Sequence, residues 1–139
     1  MGVHHLTCRA TASGIDNLSA IANAIAWLCG DIDLVNIDKT TSYHGSEINI
    51  ITVKVAKNSD IKSVVEKLKL GNLAKLKVNL KQRIDENNTL HFRLCLNSII
   101  NEKIIVVDAE EKSVKFSIKI EAYPGQNPMD NISSILGLQ

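Results

Sequence analysis

Hydrophobic and polar positions alternate from Val3 to Ala12, with His4, Leu6, Cys8 and Ala10 on one side and His5, Thr7, Arg9 and Thr11 on the other. A period of two predicts a half-buried β-strand. Ser13-Gly14 interrupts it, and Asp16 is placed to cap a helix by accepting from its first free amides. That helix carries Leu18, Ile21, Ala22, Ile25 and Leu28 on one face, while Ala20, Ala24 and Trp27 make the opposite face apolar or small as well. A helix apolar all round is covered on more than one side. The expected cover is either the C-terminal segment or a second copy of the chain.

Two β-rich runs, Leu34 to Tyr43 and Glu47 to Ala56, flank Tyr43-His44-Gly45-Ser46 and predict an antiparallel hairpin with that tetrapeptide at its tip. Adjacent Ile50 and Ile51 predict a bulge in the second strand. Asn58-Ser59-Asp60 then offers caps for a helix carrying Ile61, Val64, Val65 and Leu68, with Gly71-Asn72 as its stop. A further helical run bears Leu73, Leu76, Leu80 and Ile84. After the Asn87-Asn88 turn, Leu90, Phe92, Leu94 and Leu96 alternate inward and His91, Arg93 and Cys95 outward. Ile104 to Val107 reads as a short buried strand. The last strand sets Val114, Phe116, Ile118, Ile120 and Ala122 against Lys115, Ser117, Lys119 and Glu121.

The order is therefore β-α-β-β-α-α-β-β-β. It predicts an α+β fold: a two-layer α/β sandwich whose mixed, mostly antiparallel sheet is packed by helices on one face and wet on the other. Residues 1–125 form one α+β domain, closed by Tyr123-Pro124-Gly125. Residues 126–139 are a C-terminal tail in which Ile132, Ile135 and Leu136 predict one docked helical turn.

Composition narrows the class. With 139 residues, 45% hydrophobic and 22% charged, the chain is an ordinary globular domain, neither disordered nor fibrous. Cys8, Cys29 and Cys95 are odd in number and include no CxxC pair, which argues against a disulfide framework or zinc knuckle and for a reducing cytoplasm. No charged-then-apolar leader opens the chain, and no apolar run approaches the ~20 residues that span a bilayer. The Asn-x-Ser/Thr triplets at Asn17, Asn87 and Asn131 are accordingly read as chance.

Net charge is only +1, yet residues 59 to 83 hold seven bases (Lys62, Lys67, Lys69, Lys75, Lys77, Lys81 and Arg83) against Asp60 and Glu66. Clustered lysines hold phosphates because neutralising a polyanion releases its condensed counterions; a solvated helix face is the bland reading. A second basic surface arises if the strands bearing His5, Arg9, His91, Arg93, Lys115 and Lys119 are neighbours. Phe92 and Phe116 fall on the inward phase, so no base-stacking platform accompanies it.

Catalytic chemistry finds no constellation. His4 and Cys8 share a strand face but lack the third and fourth ligands a metal requires. His44 stands in a turn without a nucleophile pattern, and neither a nucleophile elbow nor a phosphate loop occurs. No catalytic residue, metal, cofactor or small-molecule substrate is assigned.

Four segments together carry a resemblance: Val3-His4 opening the first strand, Tyr43-His44-Gly45-Ser46, Leu90-His91-Phe92-Arg93-Leu94, and Ile118-Lys119-Ile120-Glu121-Ala122-Tyr123-Pro124. Over about Val3 to Pro124 the chain resembles an archaeal family of RNA-binding proteins, also described as predicted exosome subunits. The resemblance implies a fold like that of the large-subunit ribosomal protein that binds 5S ribosomal RNA. It departs after Arg93-Leu94, where Cys95-Leu96-Asn97 replaces a charged Asp-Lys-Gln run and removes a cation. The expected function is a non-catalytic RNA-binding module or accessory subunit of an RNA-processing assembly. Lys69, Lys75, Lys77 and Lys81 on the helices, with Arg9 and Arg93 on the sheet, would contact phosphates. The rival expectation is a protein-interaction or scaffold subunit, homodimeric through Ala20, Ala24 and Trp27. Near-neutral charge and only five Phe, Trp and Tyr residues favour that rival.

Overall fold

A computed structural model describes residues 2–13, 16–41, 45–108 and 112–138. Tyr43 and His44, the predicted hairpin tip, lie outside the described residues. The first strand, β1 (Val3–Ser13), buries Val3, Leu6, Cys8, Ala10 and Ala12. Its alternation slips once, because the pairing register shifts between Val3 and His5. The extra residue of this bulge leaves His4 exposed, so His4 and Cys8 do not share a face as the simple alternation predicts.

Helix α1 (Leu18–Cys29) is capped by Asn17, whose side chain accepts from the Ala20 amide at 3.1 Å. The predicted cap, Asp16, instead accepts from the Ser13 amide at 2.8 Å and pairs with Lys112. Strand β2 (Asn36–Thr41) pairs with β3 (Glu47–Val55) as the hairpin predicts. The bulge expected at Ile50-Ile51 is not there: both partners of β3 stay in register, Ile51 is buried, and Ile50 is half-buried on the other face.

Helix α2 (Asn58–Lys69) buries Ile61, Val64, Val65 and Leu68, but starts one residue after Lys57 with no side-chain cap, so the predicted Asn58-Ser59-Asp60 cap does not form. Gly71 serves close packing rather than a left-handed cap. A Cβ there would stand 2.6 Å from the Ile104 Cβ and 2.9 Å from the Ile104 carbonyl oxygen, which lies on backbone that Asn72 N–H also binds at 2.8 Å. Gly71→Ala is therefore expected to cost about 1–3 kcal/mol, the usual range for overpacking. Chemical denaturation should show it as a lower midpoint at unchanged slope.

The predicted second helical run is two short helices, α3 (Ala74–Val78) and α4 (Leu80–Arg83), because Asn79 between them leaves helical geometry at φ −129°, ψ 38°. Strand β4 (Thr89–Cys95) ends earlier than its alternation suggests. Leu96 opens a short helix, α5 (Leu96–Ile100), and buries its side chain together with Ile99 three residues on. The expected strand at Ile104 to Val107 shrinks to β5 (Val106–Val107), since Ile105 makes a parallel bridge to Asn72. Strand β6 (Ser113–Ile120) follows. The tail holds a nine-residue helix, α6 (Pro128–Leu136), longer than the single turn predicted.

The sheet order is β2-β3-β1-β6-β4-β5, with every neighbouring strand pair antiparallel. Helices cover one face, giving the α+β sandwich. Helices α2 and α5 flank α1, and α6 packs on α2 and β6. Helix α1 is thus covered by α5, the helix that the alternation hid, as well as by α2. Ala24 is buried and Trp27 half-buried. Phe92 and Phe116 stack face to face in the core, with ring centroids 5.1 Å apart.

Candidate functional site

Pairing in the sheet's centre assembles three separate alternations into one surface. On the uncovered face Arg9 of β1 stands opposite Lys115 of β6, which stands opposite Arg93 of β4. Neighbouring strands lie about 4.8 Å apart, so the row places three cations across roughly 10 Å. The next row reads Lys54, Thr7, Ser117, His91, and the one after it His5, Lys119, Thr89.

Like charges directly opposite on neighbouring strands destabilise a sheet, by about 0.2–1 kcal/mol per pair. Among the described residues, Arg9 and Lys115 make no ion pair, and Arg93 Nη1 donates only to the Ser113 hydroxyl at 3.3 Å. Arg9, Thr11, Arg93, Ser113 and Lys115 line an open hollow of about 360 Å³. A second hollow of about 190 Å³ adjoins it, adding Arg83, His91 and Asp108.

His91 is fixed at both ring nitrogens, Nε2 to Asp85 Oδ2 at 2.8 Å and Nδ1 to Ser117 Oγ at 3.1 Å. The His91 hydrogen bond, then the Thr89 and Asn87 amides, hold the Asp85 carboxyl below its ordinary value. A carboxylate with a depressed folded-state pKa stabilises fully above its unfolded value and loses that contribution as pH falls through the folded one. Wild-type stability should therefore fall from about pH 4 downward, and Asp85→Asn should flatten part of that decline in acid titrations followed by circular dichroism. Asp16, lowered first by Lys112 and then by the Ser13 amide, adds a contribution of the same sign.

His5 is shifted the other way in charge. Burial, followed by Lys54, His4 and Lys119, lowers its pKa, so the ring is neutral at pH 7 and the floor's charge rests on arginine and lysine.

The six phosphate-contact candidates fall into two groups. Arg9 and Arg93 meet on the open face. Lys69 ends α2, Lys75 and Lys77 lie on α3, and Lys81 lies on α4, all exposed. Lys69 and Lys77 share a hollow of about 210 Å³ with the end of α6. Lys75 Nζ bonds Asp108 Oδ2 at 3.2 Å, just past β5, so its charge is partly engaged. Lys67, another base of that segment, is drawn onto α1, donating to the Trp27 carbonyl with its ammonium 5.2 Å from the ring centroid. Sequence reasoning missed Lys54 as part of the floor, although Val53-Lys54-Val55 carries the alternation that puts it there.

Two of the three thiols are ill suited to nucleophilic chemistry: burial pushes Cys29 up to about 12 and raises Cys8 well above its ordinary value. Among the described residues no three His, Cys, Asp or Glu side chains gather as a metal requires, and no helix is long and apolar enough to cross a membrane.

A family model described as RNA binding matches residues 5–122. No curated protein matches the sequence. Among solved structures, a DUF54 protein from Methanothermobacter thermautotrophicus is 21% identical, with a TM-score of 0.83 over 98% of this chain and 99% of its own. A DUF54 protein from Archaeglobus fulgidus is 20% identical, with a TM-score of 0.76 over 99% of each chain. A UPF0201 protein from Methanococcus jannaschii is 11% identical, with a TM-score of 0.64 over 95% of this chain and 98% of its own. At these identities the likeness is one of fold.

Proposed function

The chain belongs to the RNA-binding family, and on that premise we propose that it is a non-catalytic module holding RNA by its phosphates on the open face of the sheet. The observation that carries this reading is the row Arg9, Lys115, Arg93, three cations set opposite one another with, among the described residues, no carboxylate paired to Arg9 or Lys115. Such a row is costly to a fold and useful to a polyanion's ligand. Lys69, Lys75, Lys77 and Lys81 extend positive charge over the helices, and Asp108, which Lys75 pairs with, shares a hollow with Arg93 and Lys115. The resemblance over Val3 to Pro124 favours service as an accessory subunit of an RNA-processing assembly, in which the catalytic groups belong to another chain.

The test is fluorescence anisotropy with a labelled RNA at several salt concentrations. Affinity should fall as a power of salt, with a slope that counts the phosphates neutralised. Affinity that does not change with salt would remove the phosphate-contact reading.

A protein-contact role has its own support in a largely apolar hollow of about 320 Å³ where Trp27, Leu70, Ile104 and Ile105 are rimmed by Lys67, Glu102 and Lys103, with Leu70 90% exposed. If that hollow seats a second copy, sedimentation velocity should show a dimer that Leu70→Lys dissociates.

A further inference from the structure

Resting on the RNA-binding reading, we propose that the ligand of the open face is double-helical RNA, bound by its backbone without regard to sequence. The cations form a two-dimensional array. Arg9, Lys115 and Arg93 run across three strands, and Lys119 lies four residues along β6 from Lys115. At about 4.8 Å between strands and about 3.4 Å per residue, the array measures roughly 10 Å by 14 Å. Single strands are held differently, by a linear basic groove with aromatic rings on which successive bases stack.

Among the described residues, the strands offer the open face no Phe, Trp or Tyr ring. Phe92 and Phe116 are buried against each other, and no other Phe, Trp or Tyr occupies a described strand. His91 has both nitrogens committed to Asp85 and Ser117, which leaves neither free to read a base edge. Between the cations stand hydroxyls, Thr7 and Ser117 in one row and Thr89 in the next, on the same face as Thr11 and Ser113. Cations for phosphates and hydroxyls for 2′-hydroxyls are the chemistry that recognises A-form RNA through its shape and backbone. On β1, β6 and β4 these rows hold no asparagine or glutamine to pair bidentately with adenine, and the deep, narrow major groove of A-form RNA keeps guanine edges out of reach of Arg9 and Arg93.

The experiment measures anisotropy of the full chain with a labelled ~20-base-pair RNA duplex, of the length that shape-reading domains span, and with each strand alone at the same salt. Expected is binding of the duplex at least tenfold tighter than of either strand, similar for two unrelated duplex sequences, and weakened by R9E/K115E. Equal or tighter binding of a single strand, strong preference for one duplex sequence, or duplex binding indifferent to R9E/K115E would overturn the inference while leaving the family's RNA role standing. Binding of neither form would overturn both.

Discussion

Reversing two charges of the central row, Arg9→Glu with Lys115→Glu, is expected to weaken RNA binding about a hundredfold or more. A hydrogen bond to a charged group contributes about 1.5–3 kcal/mol and each 1.4 kcal/mol is tenfold in affinity, so loss of two contacts reaches that size before new repulsion is counted. The slope of log affinity against log salt should drop by about two, one for each lost phosphate contact. Stability should change little. The double variant makes the pairing of position 115 with Arg93 attractive but keeps a like pair between positions 9 and 115, both then acidic, so its Tm should hold. Reversal of Lys75 and Lys77 makes the contrast, because Lys75 already pairs with Asp108 at 3.2 Å. Its expected effect is about tenfold or less, in keeping with exposed charges that water screens. If the helix pair proved the more damaging, the contact surface would lie on α3 rather than on the sheet.

That contrast also marks what the amino-acid pattern could tell. Alternation alone turns Arg9, Arg93, Lys115 and Lys119 away from the core, since a two-residue period assigns each strand its wet side. It does not say which strands are neighbours, because order in a sheet follows from connections and packing. The row therefore became visible only when β6 was found between β1 and β4. The misplaced elements have similar causes. Leu96 extends the Leu90, Phe92, Leu94 phase by one more step, so a short helix was concealed within strand periodicity. Leu76 and Leu80 are four apart and fit one helix, yet Asn79 between them departs from it. His4 was assigned the wrong face by a bulge that shifts phase without altering composition. Gly71 follows the end of α2 as a stop should, but the close approach of Ile104, 33 positions away, is a second reason for glycine that no local pattern encodes.

Phe116→Ala should be the most destabilising single change considered, and its consequence reaches the opposite face of the sheet. Phe116 is fully buried and stacked on Phe92, so truncation leaves a cavity and removes an aromatic pair. Losses of this kind run to about 3–5 kcal/mol, a large part of the ~5–15 kcal/mol that holds a domain folded. For a chain of this size the corresponding fall in Tm is on the order of 10 °C, measurable by thermal denaturation. Phe92→Ala and the double variant complete a cycle whose coupling should be about 0.5–1.5 kcal/mol if the stacked rings cooperate. The two rings face each other across β4 and β6 in the register that sets Arg93 opposite Lys115 one residue away. A core that no longer fixes that register would loosen the cationic row, so Phe116→Ala should weaken RNA binding even where the protein remains folded. Phe116→Leu, which keeps an apolar side chain in the gap, should recover most of both losses. Recovery of stability without recovery of binding would mean that the ring itself, rather than the filled volume, sets the spacing of the charges.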